Sequence, residues 1–257
     1  MSTISMLEAR FRIHECENLL KIYGSQANSK NENSFDILKK FKISLDHTIK
    51  CSYYNQECDG GYSILVSKFF NEFELYPEEC WDVNNSSTCY QTICQNKKEY
   101  ADKKFTVKDY YYVGGSYGKT DANNLKMELY KNGPIAVSFE PDELFFNYSQ
   151  GILDFTDEDI KKLGIKVYNN NDNSKSKPEW QKVDHSVVLI GWGKENLNGK
   201  EIEFWILQNS WGAGWGENGN FRVKAGVNLM SIESIGEVGI PAIETINQSK
   251  RKFKKKF

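Results

Sequence analysis

One stretch constrains this chain more than any other: residues 183–223, VDHSVVLIGWGKENLNGKEIEFWILQNSWGAGWGENGNFRV. It holds two short apolar runs, Ser186 to Ile190 and Phe204 to Leu207, each β-branched or aromatic and closed by polar or glycine residues. That pattern predicts two neighbouring strands. His185 opens the first and Asn209 follows the end of the second, an arrangement that sets an imidazole beside an amide. A histidine held by an amide is the orienting half of a nucleophilic site, in which the amide fixes the ring tautomer and the ring takes the proton of a thiol. A core histidine satisfied by a neighbouring amide in an unrelated β-domain is the plainer alternative.

The run Gln208-Asn209-Ser210-Trp211-Gly212, followed by Gly214-Trp215-Gly216-Glu217-Asn218-Gly219, makes the segment resemble the papain-like cysteine peptidases. The resemblance implies His185 as general base, Asn209 as its orienter and Trp211 as the ring that shields their hydrogen bond from water. It also places Asp184 and Trp211 among the substrate-binding residues.

The 257 residues leave room for one large domain or two small ones. A formal net charge of -2 gives no basic field for nucleic acid, and no run approaches the apolar length of a membrane span. Five of the six cysteines fall between Cys51 and Cys94, which points to an oxidising compartment and a disulfide framework. Zinc is the competing interpretation, but the cluster has no C-x-x-C pair and no histidine. The opening MSTISMLEAR meets charge too early for an export signal, in conflict with the cysteines. A chain that begins inside a larger protein removes the conflict.

Residues 1 to 23 read as a helix, with Ile4, Leu7 and Phe11 on one stripe and Gly24 as its stop. Within it, Met6-Leu7-Glu8-Ala9-Arg10-Phe11-Arg12-Ile13 is similar to the central helix of the dipeptidyl peptidase I or cathepsin C branch of the family. In that branch the nucleophilic cysteine opens this helix, further ahead of the leucine than the six residues that precede Leu7 here. The resemblance therefore puts the nucleophile upstream of Met1, together with the oxyanion-hole glutamine and the first cysteine of a Cys-Gly-Ser-Cys run. Ser2 and Ser5 lie further along the helix and Cys16 several turns past the site, so Cys16 is read as a free or buried thiol.

Residues 24 to 42 are polar and asparagine-rich, a loop with a short amphipathic end. The segment Ser44 to Cys51 stands where the family shows Leu-Ser-x-Gln-Glu-Leu-Val-Asp-Cys, departing at the Gln and Glu positions, and His47 is expected on a helix surface. Cys58-Asp59-Gly60-Gly61 resembles the family's Cys-x-Gly-Gly. By that resemblance Gly61, supported by Gly60, pairs with the substrate backbone, while a plain tight turn is the alternative. Tyr62 to Phe70 reads as a helix. The resemblance offers Tyr62 and Tyr112 as chloride-binding residues, but Ile64 stands where a tyrosine is expected and has no hydroxyl to give an anion. No other cofactor and no metal is expected. Family pairing joins Cys51 to Cys89 and Cys80 to Cys94, leaving Cys58 for a cysteine upstream of the chain.

Asn84, Asn85, Asn147 and Asn247 head possible glycosylation triplets. A helix is predicted near Asp121 to Asn132, then a strand within Asn132 to Glu140. Residues 167–177 read as a low-complexity surface loop, and 250–257 as a solvated basic end.

The resemblance implies an α+β, papain-like two-lobed fold: a helical lobe over 1–109, a β-barrel lobe over 110–241 and the substrate cleft between them; residues 242–257 read as a basic disordered tail. It implies a lysosomal-type cysteine peptidase of the dipeptidyl aminopeptidase kind acting on peptides or proteins. Such a protein works in an acidic vacuole or the secretory pathway, with a propeptide or exclusion domain upstream. A peptide-binding pseudoenzyme and a gene remnant are the rival interpretations, because the chain as written lacks the thiolate.

Overall fold

The computed structural model describes residues 1–23, 40–81, 89, 100, 103–155, 162, 183–197 and 199–245. Helix α1 spans Ser2–Tyr23, α2 Leu45–Cys51, α3 Ser63–Glu72, α4 Ala122–Asn132 and α5 Glu143–Phe146. The strands are β1 Lys103–Tyr112, β2 Ile135–Phe139, β3 Ile152–Leu153, β4 His185–Leu197, β5 Lys200–Gln208, β6 Asn220–Lys224 and β7 Ile235–Thr245. They form a mixed sheet in the order β1-β7-β2-β4-β5-β6-β3, so the fold is α+β.

The chain divides into two compact units, Met1–Met6 with Tyr111–Val238, and Leu7–Tyr110 with Gly239–Phe257. The lobes expected from sequence are consecutive blocks, whereas the units exchange their outer ends. The first residues of α1 go with the first unit, where the hydroxyls of Ser2 and Ser186 share a hydrogen bond of 2.7 Å. The far half of β7 goes with the second, where Gly239 lies against Leu7, Ser67 and Val107. β7 also runs on to Thr245, so residues 242–245 are strand and not tail.

In the first unit, Asp121 caps α4 by accepting from the Asn124 N–H at 2.8 Å. The apolar run IAVSF that follows is β2, antiparallel to β4 on one side and to β7 on the other. β4 and β5 form a long hairpin, and β5 pairs antiparallel with β6. The expected first strand ended at Ile190; the observed one continues to Leu197, with its register shifting between Leu189 and Gly191. A bulge of this kind re-aims a strand without ending it, which is why glycines 191 and 193 do not terminate the pairing. At Gly193 any Cβ would press on the Phe204 ring at 2.8 Å.

Trp205, Leu207, Phe139, Phe145, Phe221 and Val223 are buried in the core of this unit. A carboxylate is buried with them. Glu233 accepts from Trp205 Nε1 at 2.7 Å, from the Gly226 N–H and from the Asn228 N–H at 2.9 Å. Its own N–H donates to Asn228 Oδ1 at 2.8 Å. Around it Asn228, Met230 and Ser231 adopt positive φ (50°, 52° and 62°), a conformation that persists only where the surroundings over-determine it.

In the second unit, Phe11 of α1 packs against the rings of Phe41 and Phe105 at centroid distances of 5.4 and 6.0 Å. Glu8 accepts from the Ile43 N–H at 2.8 Å, and burial raises its carboxyl above the usual range. Ser44 caps α2 by accepting from the His47 N–H at 3.1 Å. Cys51 and Cys89 are joined in a disulfide. Cys80 is also disulfide-bonded, and Cys94 lies outside the described residues, as do Gly24, Asn84, Asn85, Asn247, residues 167–177 and the tail beyond Thr245. Cys16 and Cys58 are free thiols.

His47 departs from expectation. It is only 1% exposed, because the face of α2 that carries it turns toward Phe69, Phe70, Tyr76 and Trp81 and not toward solvent.

Candidate active site

Antiparallel pairing of β4 with β5 sets Val188 opposite Gln208, so the start of one strand and the end of the other meet at one end of the hairpin. There His185 Nε2 lies 2.9 Å from Asn209 Oδ1. The Ser210 N–H donates to the same Oδ1 at 2.8 Å, which identifies that atom as the amide oxygen. An oxygen only accepts, so Nε2 carries the proton and Nδ1 keeps its lone pair. Local sequence explains why Asn209 holds still. Its backbone N–H donates to the Gly219 carbonyl at 2.9 Å, and the turn between closes through Gly219 N–H to Trp215 O at 2.8 Å. Asn209 is 8% exposed and His185 half-buried.

Aromatic rings pack around the pair. Trp211 sits 5.2 Å from the imidazole, tilted by 32°, and Phe139 meets the imidazole edge-on at 5.5 Å. Trp215 and Phe145 brace Trp211 at 5.1 and 5.4 Å, and Phe146 stacks on it at 5.5 Å with planes 9° apart. Trp211 is still 39% exposed. Asp184 is exposed, immediately ahead of β4, with its N–H donating to the Phe139 carbonyl at 3.2 Å.

Sequence reasoning missed Phe139, Phe145, Phe146 and Ser186 as neighbours of this site. The one signal that points to Phe139 is register, since it stands opposite His185 on β2. The Ser2–Ser186 hydrogen bond brings the start of α1 beside the residue after His185. A cavity of about 250 Å³ opens there, lined by Met1, Ser2, Ser5, Ser186, Asn209 and Ser210 among others.

Gly60 and Gly61 belong to the other unit. They close a turn in which the Gln56 N–H donates to the Gly60 carbonyl at 3.0 Å and Asn55 Oδ1 accepts from the Tyr62 N–H at 2.8 Å. Both glycines are exposed. A Cβ on Gly61 would overlap the Asn55 side chain, so the turn itself demands glycine there. Gly61→Ala should therefore displace Asn55 and lower stability by about 1–3 kcal/mol, read as a drop in the denaturant midpoint at unchanged slope. Tyr62 precedes α3 and is exposed, Ile64 is buried, and Tyr112, in the first unit, packs edge-on against Tyr117 at 5.7 Å.

Among the described residues, no group of three or more His, Cys, Asp or Glu side chains gathers in a metal-holding arrangement. No described helix is long and apolar enough to cross a membrane.

The sequence model described as papain family cysteine protease matches residues 23–240. Dipeptidyl aminopeptidase 1 of Plasmodium falciparum is 30% identical to the chain, over 79% of this chain and 36% of that protein. Cathepsin C of Schistosoma mansoni is 32% identical, over 76% and 39% respectively. The chain thus spans less than two-fifths of these curated relatives. Among solved structures, procathepsin B of Trypanosoma congolense superposes with a TM-score of 0.58 at 22% identity, covering 94% of this chain and 67% of that one.

Proposed function

Since the chain belongs to the papain family of cysteine proteases, in its cathepsin C branch, we propose that it carries the histidine and asparagine of a dipeptidyl aminopeptidase-like cysteine peptidase. The observation that carries this reading is the 2.9 Å bond from His185 Nε2 to an amide oxygen whose orientation Ser210 fixes.

With Nε2 protonated, Nδ1 is the base. It takes the proton from the thiol, and the thiolate attacks the scissile carbonyl. The imidazolium returns that proton to the leaving amine as the tetrahedral intermediate collapses to an acyl-enzyme. Water, deprotonated by the same nitrogen, then releases the acid. Asn209 keeps the ring in one tautomer throughout, and Trp211 and Phe139 limit its rotation. The thiol is supplied by a cysteine ahead of Met1, at the start of the helix that α1 continues. Support for this comes from Ser2, whose hydroxyl is hydrogen-bonded to that of Ser186, the residue after His185, and from the partial positive charge of a helix start, which favours a thiolate.

Dipeptides cut from free N-termini are the proposed products, with an upstream exclusion domain or propeptide blocking the rest of the cleft. The reading includes no chloride, since Ile64 offers no donor. The Cys51–Cys89 disulfide supports passage through an oxidising, secretory or vacuolar route.

The test uses the full-length endogenous protein: its N-terminal sequence, labelling by a peptidyl thiol-directed probe, and dipeptide release from a substrate with a free amine. A cysteine upstream that takes the probe is expected. A protein with no such cysteine, or one that never labels, would make the site a peptide-binding or inert one.

A further inference from the structure

Independently of the peptidase reading, the second unit holds a titratable group that the chemistry does not use. His47 lies on α2 four residues before Cys51, enclosed by rings: Tyr76 at 4.7 Å and 84°, Trp81 at 4.6 Å, Phe69 at 5.8 Å and Phe70 at 6.2 Å. Its Nε2 is 3.3 Å from the carbonyl oxygen of Cys89, the residue disulfide-bonded to Cys51. A carbonyl only accepts, so Nε2 carries the proton and Nδ1 is a bare lone pair. Among the described residues Nδ1 has no hydrogen-bond partner, and neither has the buried indole Nε1 of Trp81. One is an acceptor and the other a donor, in rings that touch. The neutral imidazole is compatible with that neighbour. A second proton would put Nδ1–H into an apolar cage with no acceptor among the described residues, beside an N–H of the same polarity.

We infer that His47 is an acid-operated latch: as a neutral ring it holds the Cys89 carbonyl against the α2 cage, and on taking a proton it lets go. The charged groups on the elements around it are Asp46 and Lys50 on α2, Lys68 and Glu72 on α3, and Glu78 and Glu79 between Tyr76 and Trp81. None offsets the burial. Desolvation pushes the imidazole down to about 4, with only the Cys89 carbonyl acting the other way. The open form therefore binds the proton more tightly than the closed one. The closed form is unaffected above the ordinary histidine value near 6.5, weakens as pH falls below it, and has lost the full contribution near pH 4.

Two measurements on the intact chain test the latch. Nitrogen-15 chemical shifts at pH 7 should show His47 as the Nε2–H tautomer. Reduction of Cys51–Cys89 by a phosphine, which works in acid, should then report opening, with the open fraction on the order of 10²-fold higher at pH 4.5 than at pH 7. His47→Gln keeps an N–H for Cys89 but cannot gain a proton, and should flatten that rise; His47→Phe serves the same purpose if the amide packs badly. A cationic or Nδ1–H ring at pH 7, or a variant with the wild-type pH dependence, would overturn the inference.

Discussion

His185→Ala in the full-length protein should lower kcat/KM by on the order of 10⁵-fold, with most of the loss in kcat and little change in KM. The reason is the division of labour at the ring. In the proposed mechanism Nδ1 both removes the thiol proton and returns it to the leaving amine, so its removal raises the barriers to attack and to collapse together. A factor of 10⁵ corresponds to about 7 kcal/mol of barrier, beyond what loss of packing against Phe139 and Trp211 supplies. Single-turnover kinetics on a dipeptide substrate would measure it, with thiol labelling slowed in parallel. A loss under tenfold would mean that His185 is not the base and that its bond to Asn209 is structural.

Glu233→Ala should be the most damaging single change to the fold of the first unit, by about 4 kcal/mol or more. One carboxylate satisfies the Trp205 indole and the Gly226 and Asn228 amides, and each donor left buried without a partner costs about 1–3 kcal/mol. It also braces Asn228, the first of three positive-φ residues in this turn, whose strain is tolerated only while the network stands. Glu233→Gln should fall between, because its amide retains one acceptor and turns N–H toward N–H at the other. Urea unfolding followed by Trp fluorescence would rank the three proteins. A loss below 1 kcal/mol for the alanine variant would show that water replaces the carboxylate.

The part of the site that chemistry forces into a short motif is the part that can be read in sequence. His185 and Asn209 sit at strand ends because glycine and polar residues close their apolar runs, and the family resemblance gives them roles. Helices α1, α3 and α4 are legible from local pattern, and α4 also from the Asp121 that caps it. The rings around the imidazole are not, because Phe139, Phe145 and Phe146 come from segments some forty residues or more away and only strand register and tertiary packing select them. His47 was expected outside because its segment departs from the family's pattern at the Gln and Glu positions. Its burial comes from rings on later segments, Phe69, Phe70, Tyr76 and Trp81, which only tertiary packing brings to it. Glu233 carries no motif at all. Its only local hint is the glycine and asparagine at 226 and 228, residue types suited to the positive φ that both adopt.

Because each unit takes residues from both ends of the sequence, synthesis imposes an order on folding. A ribosome that has synthesised the chain only as far as Asn209 has made α1 and the β4–β5 hairpin but not β6 or β7, so β2 and β5 each lack a neighbour and Glu233 is not yet there to meet Trp205. The nascent chain holds open, apolar strand edges until translation is nearly finished, a condition that favours chaperone capture. Premature stops before β7 should therefore yield aggregates and not a stable half-molecule.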